Sequence, residues 1–492
     1  MKLAAERSYY AQWIEKDLGA WRDHGITQEV VHAAAQLYDV CDGDLLRFQV
    51  LNGSLWVQHV TDRRKGWYPS GLGPGNLASK GRVPYAILAL MDTLRMFPGQ
   101  IPDVDAVLHT ADFPCVRHSW DAGQPEGRSP MIVLGYQGAP THHDLPFPDA
   151  TFWGHEGGYL LDPWGNPAHG WAGQAALLHR KYEHVSLLDR IPQAMWRGRT
   201  QDTMYPFRDA LRRKFVSCPK ELRDAGRPDE ATLFSVVEPP VVLQDSCDYR
   251  YNTYIESNSY ASNLKQKLAC GSVLLAPHPQ HWEWFGRAMK PGQHYVEVTH
   301  EEDHVCEQTL AAVRDMNALF DSRGRRELPP GGPLTPSLAA ALAAGQGSAH
   351  SGQQKSAALG RRAVGGGGTG APGRLLISNS SSGRQPAAAE PQPSSDGSYV
   401  WRSDRMPWEV AASGQRFVRE HVRMQDALLY IRDLLRSYAA LQRFKPEPVK
   451  STCYTGARLL EQFSTPHSAD GEAVARAYPW LVSWDGGCKP GH

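Results

Sequence analysis

A few residues of this 492-residue chain stand where their types could do chemistry. Asp112 follows Val104 to His109, which alternates and then runs apolar, and is fixed in the turn Asp112-Phe113-Pro114. In an open α/β sheet, a carboxylate at the carboxyl end of a strand lies where a cleft opens. It could accept a proton there, or it could simply cap its own turn. Farther on, Trp196-Arg197-Gly198 ends a short apolar segment, and Arg208, Arg212 and Arg213 follow. Arginine suits a diphosphate because its planar fork donates two hydrogen bonds at once and stays charged. A neighbouring glycine lets backbone approach a ligand closely. On a predicted helix, Arg212 and Arg213 read more simply as solvated surface charges. A third group, Ser262, Asn263 and Lys265, sits where a polar turn runs into a helix.

These residues need elements to position them, and the run from Tyr249 to Val298 organises the rest. Tyr249 to Ile255 has the Tyr and Thr of a strand. A polar turn covers Glu256 to Ser259, and a helix is predicted from about Tyr260 to Ala269. Ser272 to Ala276 is a short uncharged apolar run, as a strand covered on both faces should be. Strand, helix and strand make a βαβ unit with ligands beyond the carboxyl ends of its strands. That places the site of interest at Glu256 to Lys265. Elsewhere the pattern predicts two helices over Tyr9 to Asp39, with Thr27 as N-cap of the second. A hairpin is expected around Asn52-Gly53, a helix over Tyr85 to Phe97, and strands at Val104 to His109 and Ile132 to Tyr136. Further helices are predicted from Phe207 and over Glu302 to Leu319, with helical apolar stripes from Met406 to Gln442.

Lysine plus arginine and aspartate plus glutamate each total 52, so bulk charge offers nothing to nucleic acid or an anionic membrane. No run approaches the ~18 apolar residues that a membrane helix needs. Met1 to Tyr10 lacks the apolar centre of a secretory signal. The eight cysteines (41, 115, 218, 247, 270, 306, 453 and 488) form no Cys-x-x-Cys pair. This argues against a zinc ribbon and leaves any disulfide pairing open. His142, His143, His155 and Glu156 lack the spacing of a zinc protease and read as structural or surface groups. Asn52-Gly53-Ser54 and Asn379-Ser380-Ser381 are glycosylation sequons, usable in a secretory compartment. The segment Thr151 to Asp162, with Phe152, Trp153 and nearby Trp164, has the aromatic composition of an acceptor pocket. Ser322 to Ser398 is dominated by Gly, Ala, Ser and Pro, and its Gly365 to Gly368 run lacks the Gly-Lys-Ser/Thr of a phosphate loop. A segment so poor in large apolar residues cannot offset its ordering entropy, so a disordered insertion is expected.

Taken in order, several of these pieces resemble glycosyltransferase family 90, the family of capsule-associated transferases, KDEL-motif proteins and Rumi-type protein O-glucosyltransferases. The matching residues are Asp112 with Pro114, Trp196-Arg197-Gly198 followed by Arg208, and Tyr249-Arg250-Tyr251. The helix with Ser262 and Lys265, Cys270-Gly271-Ser272 with its apolar strand, Pro291 with His294 and Tyr295, and the closing helices also agree. The resemblance covers about Tyr9 to Pro446 apart from the insertion. It implies an α/β fold of two facing Rossmann-like domains, the GT-B type. Residues 1–190 would form the acceptor side and 191–321 the nucleotide-sugar side. A disordered insertion at 322–399, closing helices at 400–446 and a tail of unread structure at 447–492 complete the chain.

The resemblance also implies an inverting transfer of glucose or xylose from a UDP-sugar, a substrate and not a cofactor, to a hydroxyl of a protein or glycan. Asp112 maps onto the catalytic base. Trp196, Arg197, Gly198, Arg208, Ser262, Asn263 and Lys265 map onto the donor-binding segments, where arginines and a lysine would neutralise the leaving diphosphate in place of a metal ion. Many members carry an arginine where this chain has Asn263. The substitution leaves Lys265 to act as a point charge and motivates an alternative, a nucleotide-sugar-binding or scaffold protein that has lost transfer. A glycoside hydrolase would need two facing carboxylates, and only Asp112 is convincingly placed. His294 and Tyr295 are expected to support a strand end. The family implies the lumen of the endoplasmic reticulum or Golgi, although no signal peptide is visible.

Overall fold

Asn52 and Gly53 take φ values of 49° and 79°, the left-handed backbone that a two-residue hairpin turn requires. They join β1 (Leu45–Leu51) to β2 (Ser54–His59) antiparallel. β3 (Val104–His109) lies antiparallel on the other side of β1, and β4 (Leu134–Gly135) and β5 (Leu145–Pro146) continue parallel from it. The computed structural model of the chain describes residues 6–37, 41, 45–59, 82–121, 129–154, 170–198, 200, 210–237, 243–256, 259–327, 404–449, 451–463 and 470–488.

The second sheet is wholly parallel. It contains β6 (Ile191–Arg197), β7 (Phe234–Val237), β8 (Tyr249–Thr253), β9 (Val273–Pro277) and β10 (Val296–Val298), in the order β10-β9-β8-β6-β7. Every residue of β9 is buried, which explains its uncharged Val-Leu-Leu-Ala-Pro sequence. The chain adds β7 on one side of β6 and returns to add β8 on the other. That reversal makes a topological switch point, and ligands of such sheets bind beside it at the carboxyl ends of the strands.

The result is the expected α/β architecture of two sheets, consistent with the GT-B type, with one departure. The first sheet is mixed, because the hairpin supplies antiparallel strands on one side of β3. Both sheets belong to one compact unit that spans Met1–Arg326 and Ser398–His492.

The helices follow the apolar periodicity. α1 (Ala11–Asp17) precedes α2 (Gln28–Ala34), whose N-cap Thr27 accepts the Val30 N–H at 3.4 Å. α3 (Arg82–Met96) and α4 (Gly170–Tyr182) serve the first half, and α5 (Ala210–Asp224), α6 (Leu264–Ala269) and α7 (Glu302–Glu327) the second. α7 runs past the expected start of the insertion at 322, and 328–399 lie outside the described residues. Two closing helices then divide their work. α8 (Pro407–His421) packs on α6 and β9, and α9 (Met424–Leu441) crosses back to α1, α3 and β3. The tail, unreadable in sequence, contributes β11 (Thr452–Cys453) to the outer edge of β2, and Cys453–Cys488 ties it down. Three further disulfides, Cys41–Cys115, Cys218–Cys306 and Cys247–Cys270, use every remaining cysteine. Among the described residues no helix is long and apolar enough to cross a membrane.

Candidate active site

β3 delivers Asp112, and three devices hold its turn. The Cys41–Cys115 disulfide ties it to the segment after α2. Asp144 accepts the N–H groups of Cys115 and Val116 at 2.6 and 2.7 Å. Gln137 Nε2 donates to the Asp112 carbonyl at 2.5 Å. Burial pushes the Asp144 carboxyl up to about 7, against the opposing pull of its backbone partners. Asp144 therefore braces the turn from inside. The Asp112 carboxylate pairs with Arg82 at 2.6 Å through Oδ1 while its side chain stays 44% exposed, so it remains reachable.

The turn after β8 docks on this same structure. Ser259 Oγ donates to the Asp112 carbonyl, and the Tyr260 N–H donates to Gln137 Oε1 at 3.4 Å. Nearby, Gly138 and Trp282 exchange two backbone hydrogen bonds, at 2.9 and 3.0 Å. The two segments singled out in sequence, Asp112-Phe113-Pro114 and the turn before α6, are thus brought into contact.

Lys265 stands apart from the role expected of it. Its side chain is 0% exposed. Nζ donates to Thr151 Oγ1 at 2.5 Å and to the Ser262 carbonyl at 2.9 Å, with Asp149 at 3.6 Å and Glu283 at 4.0 Å. Phe152 lies under it, 4.6 Å from the ring centre. The ammonium is consumed by Thr151 and Asp149 of the first half together with the Ser262 carbonyl and Glu283 of its own, which makes it part of the seam between halves. Tyr260 joins the network through its hydroxyl on Asp149 Oδ2 at 3.1 Å. Glu283 is held well above the usual carboxylate range by burial and by Asp149, against the pull of Lys265. Phe152 and Trp153, read in sequence as acceptor-pocket rings, are fully buried core residues, and Trp164 lies outside the described residues.

Arg197 ends β6, and its guanidinium spans neighbouring strands. It donates to the Ser235 carbonyl, to Ser235 Oγ at 3.0 Å and to the Tyr249 hydroxyl at 3.5 Å. Gly198 has a local reason to be glycine, since a Cβ there would meet the Trp196 ring at 2.6 Å. Trp196 is itself buried. Arg208 lies outside the described residues. Asn263 is the N-cap residue of α6 without a side-chain cap, and its buried Oδ1 has no hydrogen-bond partner. Ser262 contributes its carbonyl to Lys265.

Two cations were misread or missed in sequence. Arg212 is no solvated surface charge. Its Nε donates to the Glu256 carbonyl at 2.9 Å, its Nη2 to the Ile255 carbonyl at 3.0 Å, and its guanidinium lies 5.6 Å from the Trp196 ring centre. Lys267 donates to the Thr253 carbonyl at 2.6 Å from a buried position. The available signal was a charged residue two places after Lys265 on a short helix with no other charge. Such a residue points to the opposite side of the helix and must be buried there if the first one is also buried.

The remaining polar candidates have structural places. No Asp-x-Asp metal motif was expected from the sequence, yet Asp103-Val104-Asp105 has that spacing; Asp105 is buried in a two-bond pair with Arg47, at 2.8 and 2.6 Å, and Asp103 accepts the Asn52 N–H. His142 is pushed down to about 4 by burial and neighbouring cations, while His155 and Glu156 lie outside the described residues. Among the described residues no three His, Cys, Asp or Glu side chains gather as a metal site. His294 Nδ1 accepts the Lys290 N–H at 2.9 Å, and Tyr295 bridges to Pro291, so both brace the start of β10.

The two sheets thus present a half-exposed carboxylate at Asp112 and, past the carboxyl end of β8, the half-buried Arg212 and the buried Lys267. The chain belongs to glycosyl transferase family 90, whose model matches residues 4–319 and 398–461. It is similar to an O-glucosyltransferase rumi homolog of Anopheles gambiae, 24% identical over 299 residues, covering 59% of this chain and 64% of that protein. It is also similar to O-glucosyltransferase rumi of Drosophila pseudoobscura pseudoobscura, 24% identical over 330 residues, covering 65% and 71%. With protein O-glucosyltransferase 1 of Homo sapiens it shares 26% identity over 233 residues, covering 46% and 57%. The matches thus span less than two thirds of the Anopheles and human proteins.

Proposed function

We propose that the protein moves a sugar, glucose or xylose, from a UDP-sugar to a hydroxyl of a protein or glycan acceptor, with inversion at the anomeric carbon. Asp112 takes the proton of the acceptor hydroxyl as that oxygen forms its bond to the anomeric carbon. The bond from that carbon to the diphosphate breaks on the opposite face, and UDP leaves with the electron pair. Cations at the ends of β6 and β8 offset the charge that develops there. The observation that supports this reading best is the contact of the turn after β8 with the Asp112 turn, as expected if the donor binds beside the base. Metal independence rests on the positive groups at that edge, and a chelator should leave turnover unchanged. The proposed compartment is the lumen of the endoplasmic reticulum or Golgi, supported by the four disulfides.

A release assay tests the reading: UDP-glucose and UDP-xylose are supplied with and without candidate protein and glycan acceptors. Acceptor-dependent UDP release supports transfer. A second reading, donor binding without transfer, is favoured by the unpartnered Asn263 amide and the consumed charge of Lys265. Tight UDP-sugar binding with no release under any acceptor would establish that reading instead.

A further inference from the structure

The short helix α6 carries two buried lysines, and their surroundings differ in sign. Lys265 faces two carboxylates. Lys267 is 3% exposed, its Nζ rests on the carbonyl of Thr253, the last residue of β8, and the charges acting on it are Arg212 and Arg197, both positive. Arg212 comes from the first turn of α5 and grips the carbonyls two and three residues past Thr253, those of Ile255 and Glu256. Arg197 closes β6. Lys267 and Arg212 therefore meet at the carboxyl end of β8, beside the switch point, and Arg197 at the end of β6 turns its guanidinium back to Ser235 and Tyr249.

The carboxylate of the described residues nearest in sequence to this edge is already engaged. Glu256 Oε1 accepts the N–H groups of Gln280 and His281 at 2.9 and 3.0 Å, and Oε2 pairs with His281 Nδ1 at 2.9 Å. A buried ammonium without a counter-charge is costly. Burial first, then Arg212 and Arg197, push the Lys267 ammonium down to about 7. Such an arrangement is completed by an anion that arrives from outside.

We propose that Lys267 and Arg212, with Arg197, form the diphosphate-binding set of this protein, and that Lys267 supplies the charge expected of Lys265. The inference rests on the nucleotide-sugar reading and names the residues that serve it. Binding of the diphosphate draws a proton from solvent onto Lys267 Nζ, and departure of UDP returns it. Affinity for UDP therefore falls as pH rises above about 7, by up to about tenfold per unit while the bound lysine stays protonated.

The test is calorimetry of UDP binding to the full chain between pH 6.5 and 8.5, in two buffers of different ionisation heat. Wild type should take up a proton on binding. Lys267→Met should weaken UDP about 10- to 100-fold at pH 7 and flatten the pH profile. Arg212→Gln should weaken binding and keep the slope, and Lys220→Gln, an exposed residue of the same helix as Arg212, should change neither. Thermal unfolding without ligand is the control for a purely structural role. Lys267→Met removes a buried charge whose pKa is depressed, a cost present at pH 7, so its Tm should hold or rise. Wild-type binding without proton uptake overturns the inference even if the variants fail to fold. UDP binding that Lys267→Met leaves unchanged overturns it while sparing the nucleotide-sugar reading. Failure of wild type to bind UDP at all overturns both.

Discussion

The two halves of the molecule hold their candidate chemical groups in opposite ways. In the first half, Asp112 sits on a turn fixed by a disulfide, a buried carboxylate and a glutamine, with Arg82 setting its side chain. In the second, Lys267 and Arg212 rest on backbone carbonyls at and just past the end of β8, while Arg197 reaches back to Ser235 within β7 and to the Tyr249 hydroxyl. The first is a site built to be rigid before anything binds. The second, under the proposal above, is a site whose electrostatics are finished by its ligand. A base must be within about 3 Å of the proton it removes, whereas charge stabilisation is less sensitive to small displacements.

Breaking the comparison begins with Asp112→Asn. Transfer should fall by ~10²–10⁴, while UDP affinity measured by calorimetry stays near wild type. Near-normal turnover with a stable fold would reduce Asp112 to a turn residue. Removing the staple with Cys41→Ala and Cys115→Ala together should lower stability by about 2–4 kcal/mol and slow transfer with little change in UDP affinity. Equal losses in turnover and affinity would show that the halves are not independently organised. Arg197→Ala should weaken UDP roughly 10-fold, the scale of a lost charge-assisted hydrogen bond. A lower Tm with unchanged affinity would assign Arg197 to bracing Ser235 and Tyr249. The smallest effect is expected from deleting 331–395, a stretch of Gly, Ala, Ser and Pro outside the described residues. Its composition cannot build a core, so Tm and UDP affinity should both hold, and a clear drop in either would reverse that view.

Local patterns were legible where one residue type has one structural use. Asn52-Gly53 announced its hairpin, Val104 to His109 its strand, and Thr27 its cap. The all-apolar β9 and the stripe of α9 were equally plain. The mixed character of the first sheet follows from pairings between distant segments, which no local pattern carries. The same limit hid the tail, because β11 is two residues long and takes its identity from β2. At the site, residue type was readable and direction was not. Lys265 and Lys267 look alike in sequence, but a helix turns them to different sides, one toward Asp149 and one toward Thr253. Arg212 looked solvated because nothing in its own helix reveals the carbonyls beyond β8 that it meets.

The return of the closing segments to the first sheet has a consequence for how the protein is made. Ser8 donates to Asp433, Ile26 donates to the Leu441 carbonyl and accepts from the Arg443 N–H, and Tyr454 donates to Leu55. Residues 6–59 are therefore missing partners until residues 407–454 have left the ribosome. At about 5–20 residues per second, that delay is roughly 20–80 s. The second half needs no such wait for its parallel sheet, whose strands all lie between Ile191 and Val298. The half synthesised first is thus completed last, and through that interval its early strands lack the covering segments that the finished protein gives them.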